Sequence, residues 1–90
     1  MRIAKGPDGF RVVASPDVQL HVDATLSDFP EFAWRWEAVI ARLRQTAHKE
    51  GTPVGENGAQ RAGTMNMDGW RVKLAWRVLG DLVEIKRAEF

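Results

Sequence analysis

No cysteine occurs among the 90 residues, which excludes disulfides, thiol nucleophiles and thiolate metal sites together and agrees with a reducing compartment. No apolar run approaches the roughly 18 residues that a membrane span needs. The charged opening Met1-Arg2-Ile3-Ala4-Lys5-Gly6 is not followed by the apolar stretch of a signal peptide. A cytoplasmic location with no membrane partner is the expectation. Histidine is scarce, and His21 and His48 fall on separate predicted elements without the His/Glu spacing of a zinc site, so no metal is expected. A dominant charge is missing too. Thirteen Lys and Arg against twelve Asp and Glu leave a net charge of +1, far from the strongly basic balance of a dedicated nucleic-acid binder. The glycine-rich Gly55-Glu56-Asn57-Gly58-Ala59-Gln60-Arg61-Ala62-Gly63 has no Lys-Ser or Lys-Thr after it and opens no helix. With the dinucleotide fingerprint absent as well, no cofactor is expected.

What is present is an ordinary globular composition, 44% hydrophobic and 28% charged. Residues 1–90 make one α+β domain whose small core leaves little room for a deep cleft. From Trp70 to Val78, Trp70, Val72, Leu74, Trp76 and Val78 alternate with Arg71, Lys73, Ala75 and Arg77. Period-two alternation is a strand with one apolar and one basic face. Half of the four tryptophans lie on its apolar side, which places this strand at the centre of the core.

The rest of the chain is read around that strand. Phe10–Ser15 and Val18–Asp23 alternate on either side of Ser15-Pro16-Asp17, which predicts a β-hairpin. Asp28 and Glu31 are spaced as a capping box with Pro30 between them, predicting a helix from about residue 29. Phe29, Phe32, Ala33, Trp36, Val39, Ile40, Leu43 and Ala47 form its apolar stripe, and Gly51 ends the pattern. Residues 51–68 show no periodicity and are expected to be a mobile loop. Leu79-Gly80-Asp81 then turns into a last strand at 82–87 with Val83 and Ile85 inward. The predicted order is ββαββ, a four-stranded, mainly antiparallel sheet with one long amphipathic helix on one face. Met1–Ala4 offers a further short edge strand.

Three constellations carry functional expectations. The outer sheet face collects Arg11, Gln19, His21, Asp23, Arg71, Lys73, Arg77, Glu84 and Lys86 and is net positive, without aromatics for base stacking. Read blandly it is a solvated face with cross-strand pairs such as arginine against Glu84. Read chemically, His21, Glu84 and the arginines are the acid, base and cations of a metal-independent ribonuclease. The back of the helix carries Trp34, Ala38, Ala41 and Gln45, a large ring beside small residues with a charged rim, which is the composition of an interface anchor. Cover by Phe90 or by the 51–68 loop is the alternative. That loop offers Asn57 and Arg61, with Asn66 and Asp68, as partner contacts.

Gly69-Trp70-Arg71-Val72-Lys73, Trp76-Arg77-Val78, Gly80-Asp81, Val83-Glu84-Ile85 and Arg87, about a fifth of the chain, resemble the C-terminal sheet of RelE/ParE-type toxins. Those are small ribosome-dependent ribonucleases or gyrase inhibitors. The resemblance implies nucleic-acid or ribonuclease chemistry on the basic sheet face. The toxins place a helical hairpin after one strand, whereas the order read here places a hairpin before one helix. The leading expectation is therefore a small non-enzymatic binding or regulatory protein, of the inhibitor kind that phages and mobile elements encode. Its expected partner is an acidic or nucleic-acid-handling protein, or a second copy of the chain. Trp34, Ala38, Ala41, Gln45, Asn57 and Arg61 would make the contact, and Arg11, Arg71, Lys73, Arg77 and Lys86 would steer it. A nucleic-acid binder or ribonuclease is the competing class.

Overall fold

The structure, a computed structural model, describes residues 9–55 and 59–90; Met1–Ala4 and Asn57 lie outside the described residues. The chain runs β1 (Arg11–Ala14), α1 (Pro16–Asp28), α2 (Phe32–Thr46), β2 (Thr52–Val54), β3 (Gln60–Met67), β4 (Trp70–Leu79) and β5 (Leu82–Glu89). Five strands and two helices thus replace the expected four-stranded ββαββ arrangement with a single helix. One sheet of order β1-β5-β4-β3-β2 holds all the strands. β1 runs parallel to β5, and every other neighbouring pair is antiparallel. The helical hairpin α1–α2 lies on one face of the sheet and carries the chain from β1 at one edge to β2 at the other, after which β2–β5 return to place β5 parallel beside β1.

The predicted first hairpin is a helix because Ser15-Pro16-Asp17 is a helix start rather than a turn. The Ser15 hydroxyl accepts from the Val18 amide at 3.4 Å, Pro16 occupies the first turn, and Asp17 stands at the positive end of the helix dipole. Val18 and Val22 are four apart, so they share a face in a helix as well as in a strand, and both are buried. Leu20 separates the two readings. A strand would bury it with them, and it is 68% exposed.

α2 keeps most of its predicted stripe: Phe32, Val39, Leu43 and the following Ala47 are fully buried, while Trp36 and Ile40 pack half-buried against them. Its start differs. The Asp28–Glu31 capping box does not form, because Asp28 ends α1; Glu31 caps α2 without a side-chain bond, and Phe29 is left 48% exposed.

The predicted loop at 51–68 is mostly strand. β3 turns its inward positions Arg61, Gly63, Met65 and Met67 opposite Trp76, Leu74, Val72 and Trp70. Asp68 (φ 54°) and Gly69 (φ 83°) make the two-residue connection to β4, the positive-φ pair that tight hairpins prefer. Gly51 also needs its positive φ of 66°. A Cβ there would stand 2.3 Å from the Ala62 carbonyl oxygen and 3.1 Å from the edge of the Trp76 ring.

Trp76 is the centre of the core, as the alternation of β4 predicts. It is 1% exposed, and its indole N–H donates to the Ala47 carbonyl at 2.9 Å, joining the sheet to the end of α2. Beside it, the Glu50 carboxylate accepts from Arg42 Nε at 2.7 Å and from the Thr46 hydroxyl at 3.2 Å. The Arg42 hydrogen bond holds Glu50 below the usual carboxylate range, with desolvation opposing it and the charge of Arg42 adding to it. No helix among the described residues is long and apolar enough to cross a membrane.

Candidate functional site

Since α1 and α2 occupy one face of the sheet, the other face is set by strand alternation alone. On β4, Val72, Leu74 and Trp76 are buried beneath the helices, which turns Arg71, Lys73, Ala75 and Arg77 outward as predicted. β3 adds Gln60, Ala62, Thr64 and Asn66, whose cross-strand partners are Arg77, Ala75, Lys73 and Arg71. β1 adds Arg11 and Val13 beside β5.

A bulge in β5 shapes this face. Pairing passes from Trp76–Ile85 directly to Ala75–Arg87, so Lys86 has no partner on β4 and two residues stand opposite one. Such a bulge bends its strand and re-aims side chains. Here Lys86 and Arg87 both border one groove of about 450 Å³. The cross-strand pairs Ala62–Ala75 and Arg61–Trp76 line it, with Val54 and Gln60 on β2 and β3 and Arg77, Lys86 and Arg87 on β4 and β5. Small residues make the depression, and cations surround it.

The ion pairs on this face are few. Lys86 meets the half-buried Glu84 at 3.4 Å, and Arg11 meets Asp81 at 3.7 Å with both side chains exposed. The expected arginine–Glu84 pair does not form, although Arg77 is opposite Glu84 in register; Glu89 opposite Lys73 also falls short. Among the described residues, Arg71, Lys73, Arg77 and Arg87 make no ion pair. With only Glu84 and Glu89 facing them across the strands, these cations leave the sheet face net positive, a field that attracts anions and is screened by salt.

Gln19, His21 and Asp23 are not on this face. They belong to α1, on the other side of the sheet, where His21 stacks on Phe90 with ring centroids 4.4 Å apart. The predicted His21–Glu84 acid–base pair is therefore not assembled. Among the described residues no cluster of three or more His, Asp or Glu could hold a metal ion.

The second predicted site is divided by the structure. Trp34 is 50% exposed, and Phe90 packs on Phe32, Trp36 and His21 instead. The Arg35 guanidinium lies 4.5 Å over the Trp34 ring and 5.4 Å from Trp70, donates to the Met67 and Glu31 carbonyls and pairs with Asp68 at 3.5 Å. Ala41 and Gln45 are exposed farther along the same helix face, with Ala38 half-buried between. Arg61 faces inward instead. Its Nε and Nη2 donate to the Glu50 and Gly51 carbonyls at 2.6 and 3.2 Å, which makes it a clamp between β3 and the connection from α2 to β2 rather than a free contact. Arg87 and the alanine pair were not among the predicted site residues. The sequence signals for them are Lys86-Arg87 breaking the alternation of β5, the place of Arg87 in the toxin-like motif, and the outward position of Ala75 on β4.

Comparison with known proteins returns no matching family model, no curated relative and no solved structure of significant similarity.

Proposed function

We propose that this protein binds the phosphate backbone of a nucleic acid through the outer face of its sheet, as a small module of the RelE/ParE-like kind. The observation that carries this reading is the groove at the β5 bulge, where Arg77, Lys86 and Arg87 join the Ala62–Ala75 pair and Arg71 and Lys73 continue the positive row along β4. Topology supports it. The chain places a helical hairpin after its first strand, which is the feature by which the resembled toxins differ from the order read in the sequence.

The chemistry of the face favours holding over cutting. The residues that line the groove include no carboxylate or imidazole to move a proton; Glu84 meets Lys86 from outside it, and His21, Asp17 and Glu89 share with Lys86 and Arg87 a separate hollow of about 290 Å³ beside α1. Trp76 borders the groove but is only 1% exposed, and Trp34, Trp36 and Trp70 do not line it, so bases have no stacking platform and recognition falls on phosphates, with little sequence preference. Binding a labelled single-stranded RNA to Arg77→Gln/Arg87→Gln tests the site. The double variant should lose at least about tenfold in affinity at low salt, while Arg42→Gln on the helix side should lose almost nothing. Equal losses for both variants would remove the groove from the account. An acidic protein surface is the second reading, favoured by the same absence of aromatics; polyglutamate binding without RNA binding would select it.

A further inference from the structure

The outer face of α2 is not used by the sheet-face reading, and it carries its own pattern of charge. Trp34, Ala38 and Ala41 lie along it, and the flank beside them holds Glu37 and Arg44, seven residues apart and hence ~10 Å along the axis. These two are exposed, make no ion pair among the described residues, and border a hollow of about 310 Å³ with Ile40 and Ala41. Arg35 and Arg42, on the opposite flank, are already paired with Asp68 and Glu50.

A helix face with an acid near one end and a base near the other on the same flank is complementary to itself when turned end for end. We propose that α2 pairs antiparallel with α2 of a second copy of this chain about a two-fold axis passing near Ala41. Glu37 of each protomer then faces Arg44 of its partner, so one contact type occurs twice, as an isologous interface requires. Ala38 and Ala41 sit near the axis, where short side chains let two helices approach closely. Trp34, about 10 Å from the axis, lies opposite the C-terminal turn of the partner helix and contributes the large buried ring typical of an interface anchor. Because α2 and the basic sheet face lie on opposite sides of the protein, the pair would present two outward-facing basic surfaces. The inference stands independently of what those surfaces bind.

Such an interface, built on one helix, is at the small end of specific interfaces, so a dissociation constant in the micromolar range is expected. Sedimentation velocity from about 1 to 500 µM tests it, with a thermal melt on every variant. Wild type should pass from monomer to dimer, and Ala41→Arg should remain monomeric at all concentrations with an unchanged melt. Glu37→Arg and Arg44→Glu should each weaken the dimer at least about tenfold, whereas the two together in one chain should return to within about threefold of wild type. A wild type that stays monomeric at 500 µM overturns the proposal. So does a dimer whose single charge reversals are silent or whose double reversal is not restored. A monomer in which Ala41→Arg lowers the melting temperature by 10 °C or more overturns it as well, since the face is then covered from within the chain.

Discussion

Replacing Trp76 should be the most damaging single change in this domain, and the structure says by how much. The side chain is 1% exposed, packs against the glycine approach of Gly51 and Gly63, and donates its N–H to Ala47 at the end of α2. Trp76→Ala removes the ring, leaves a cavity and strands the buried Ala47 carbonyl, which together should cost about 4–6 kcal/mol. A domain of this size has only about 5–13 kcal/mol in total, so much of the Ala variant should be unfolded at 37 °C. Trp76→Phe is the more discriminating change. It keeps an aromatic ring in the core but loses the benzo volume and the hydrogen bond, for about 1.5–3 kcal/mol. For a chain of about 90 residues that corresponds to a fall in Tm of roughly 6–20 °C. Circular dichroism melts at matched concentration, with urea titrations to confirm an unchanged m-value, measure it. A Phe variant melting within 2 °C of wild type would refute both the burial and the bond to Ala47.

Other positions test other parts of the fold. Ser15→Ala should destabilise by about 0.5–1 kcal/mol through loss of the α1 cap, measured by urea denaturation, whereas a residue in a plain turn should lose almost nothing. Gly51→Ala forces a Cβ toward the Ala62 carbonyl at positive φ and should cost about 1–3 kcal/mol, seen as a lowered melting temperature. Glu50 has a lowered pKa in the folded protein, so unfolding below the ordinary carboxylate range takes up a proton; its contribution is present at neutral pH and is lost as pH falls through the folded pKa. Arg42→Ala should flatten that acid dependence by no more than about 1 kcal/mol, measured by denaturation at pH 7 and in acid.

Legibility followed how much local pattern each element carries. β4 was readable because all five of its inward positions are large apolar residues and its outward ones, up to Arg77, are basic or small. α1 was misread because Val18 and Val22 satisfy both a two-residue and a four-residue repeat, and Ser15-Pro16-Asp17 serves turns and helix starts alike. β3 was invisible because two of its inward residues are Arg61 and Gly63, chosen by tertiary contacts: one clamps the Glu50 and Gly51 carbonyls and the other makes room for Gly51. Its Asp68-Gly69 turn was the signal that could have revealed a hairpin. For the site, the cations of β4 were legible from alternation, while His21 was misplaced along with α1. The groove was not, since a bulge depends on register between strands far apart in sequence. Arg87 joins the site through that register alone.

The salt dependence of nucleic-acid binding by the wild-type protein tests the central claim most directly. If Arg71, Lys73, Arg77 and Arg87 contact phosphates, the logarithm of the affinity for a single-stranded RNA should fall against the logarithm of salt concentration with a slope of about −2 to −3.5. Arg77→Gln should bring that slope closer to zero by somewhat less than about 1. A slope near zero, or no measurable binding at low salt, would contradict a phosphate-binding sheet face.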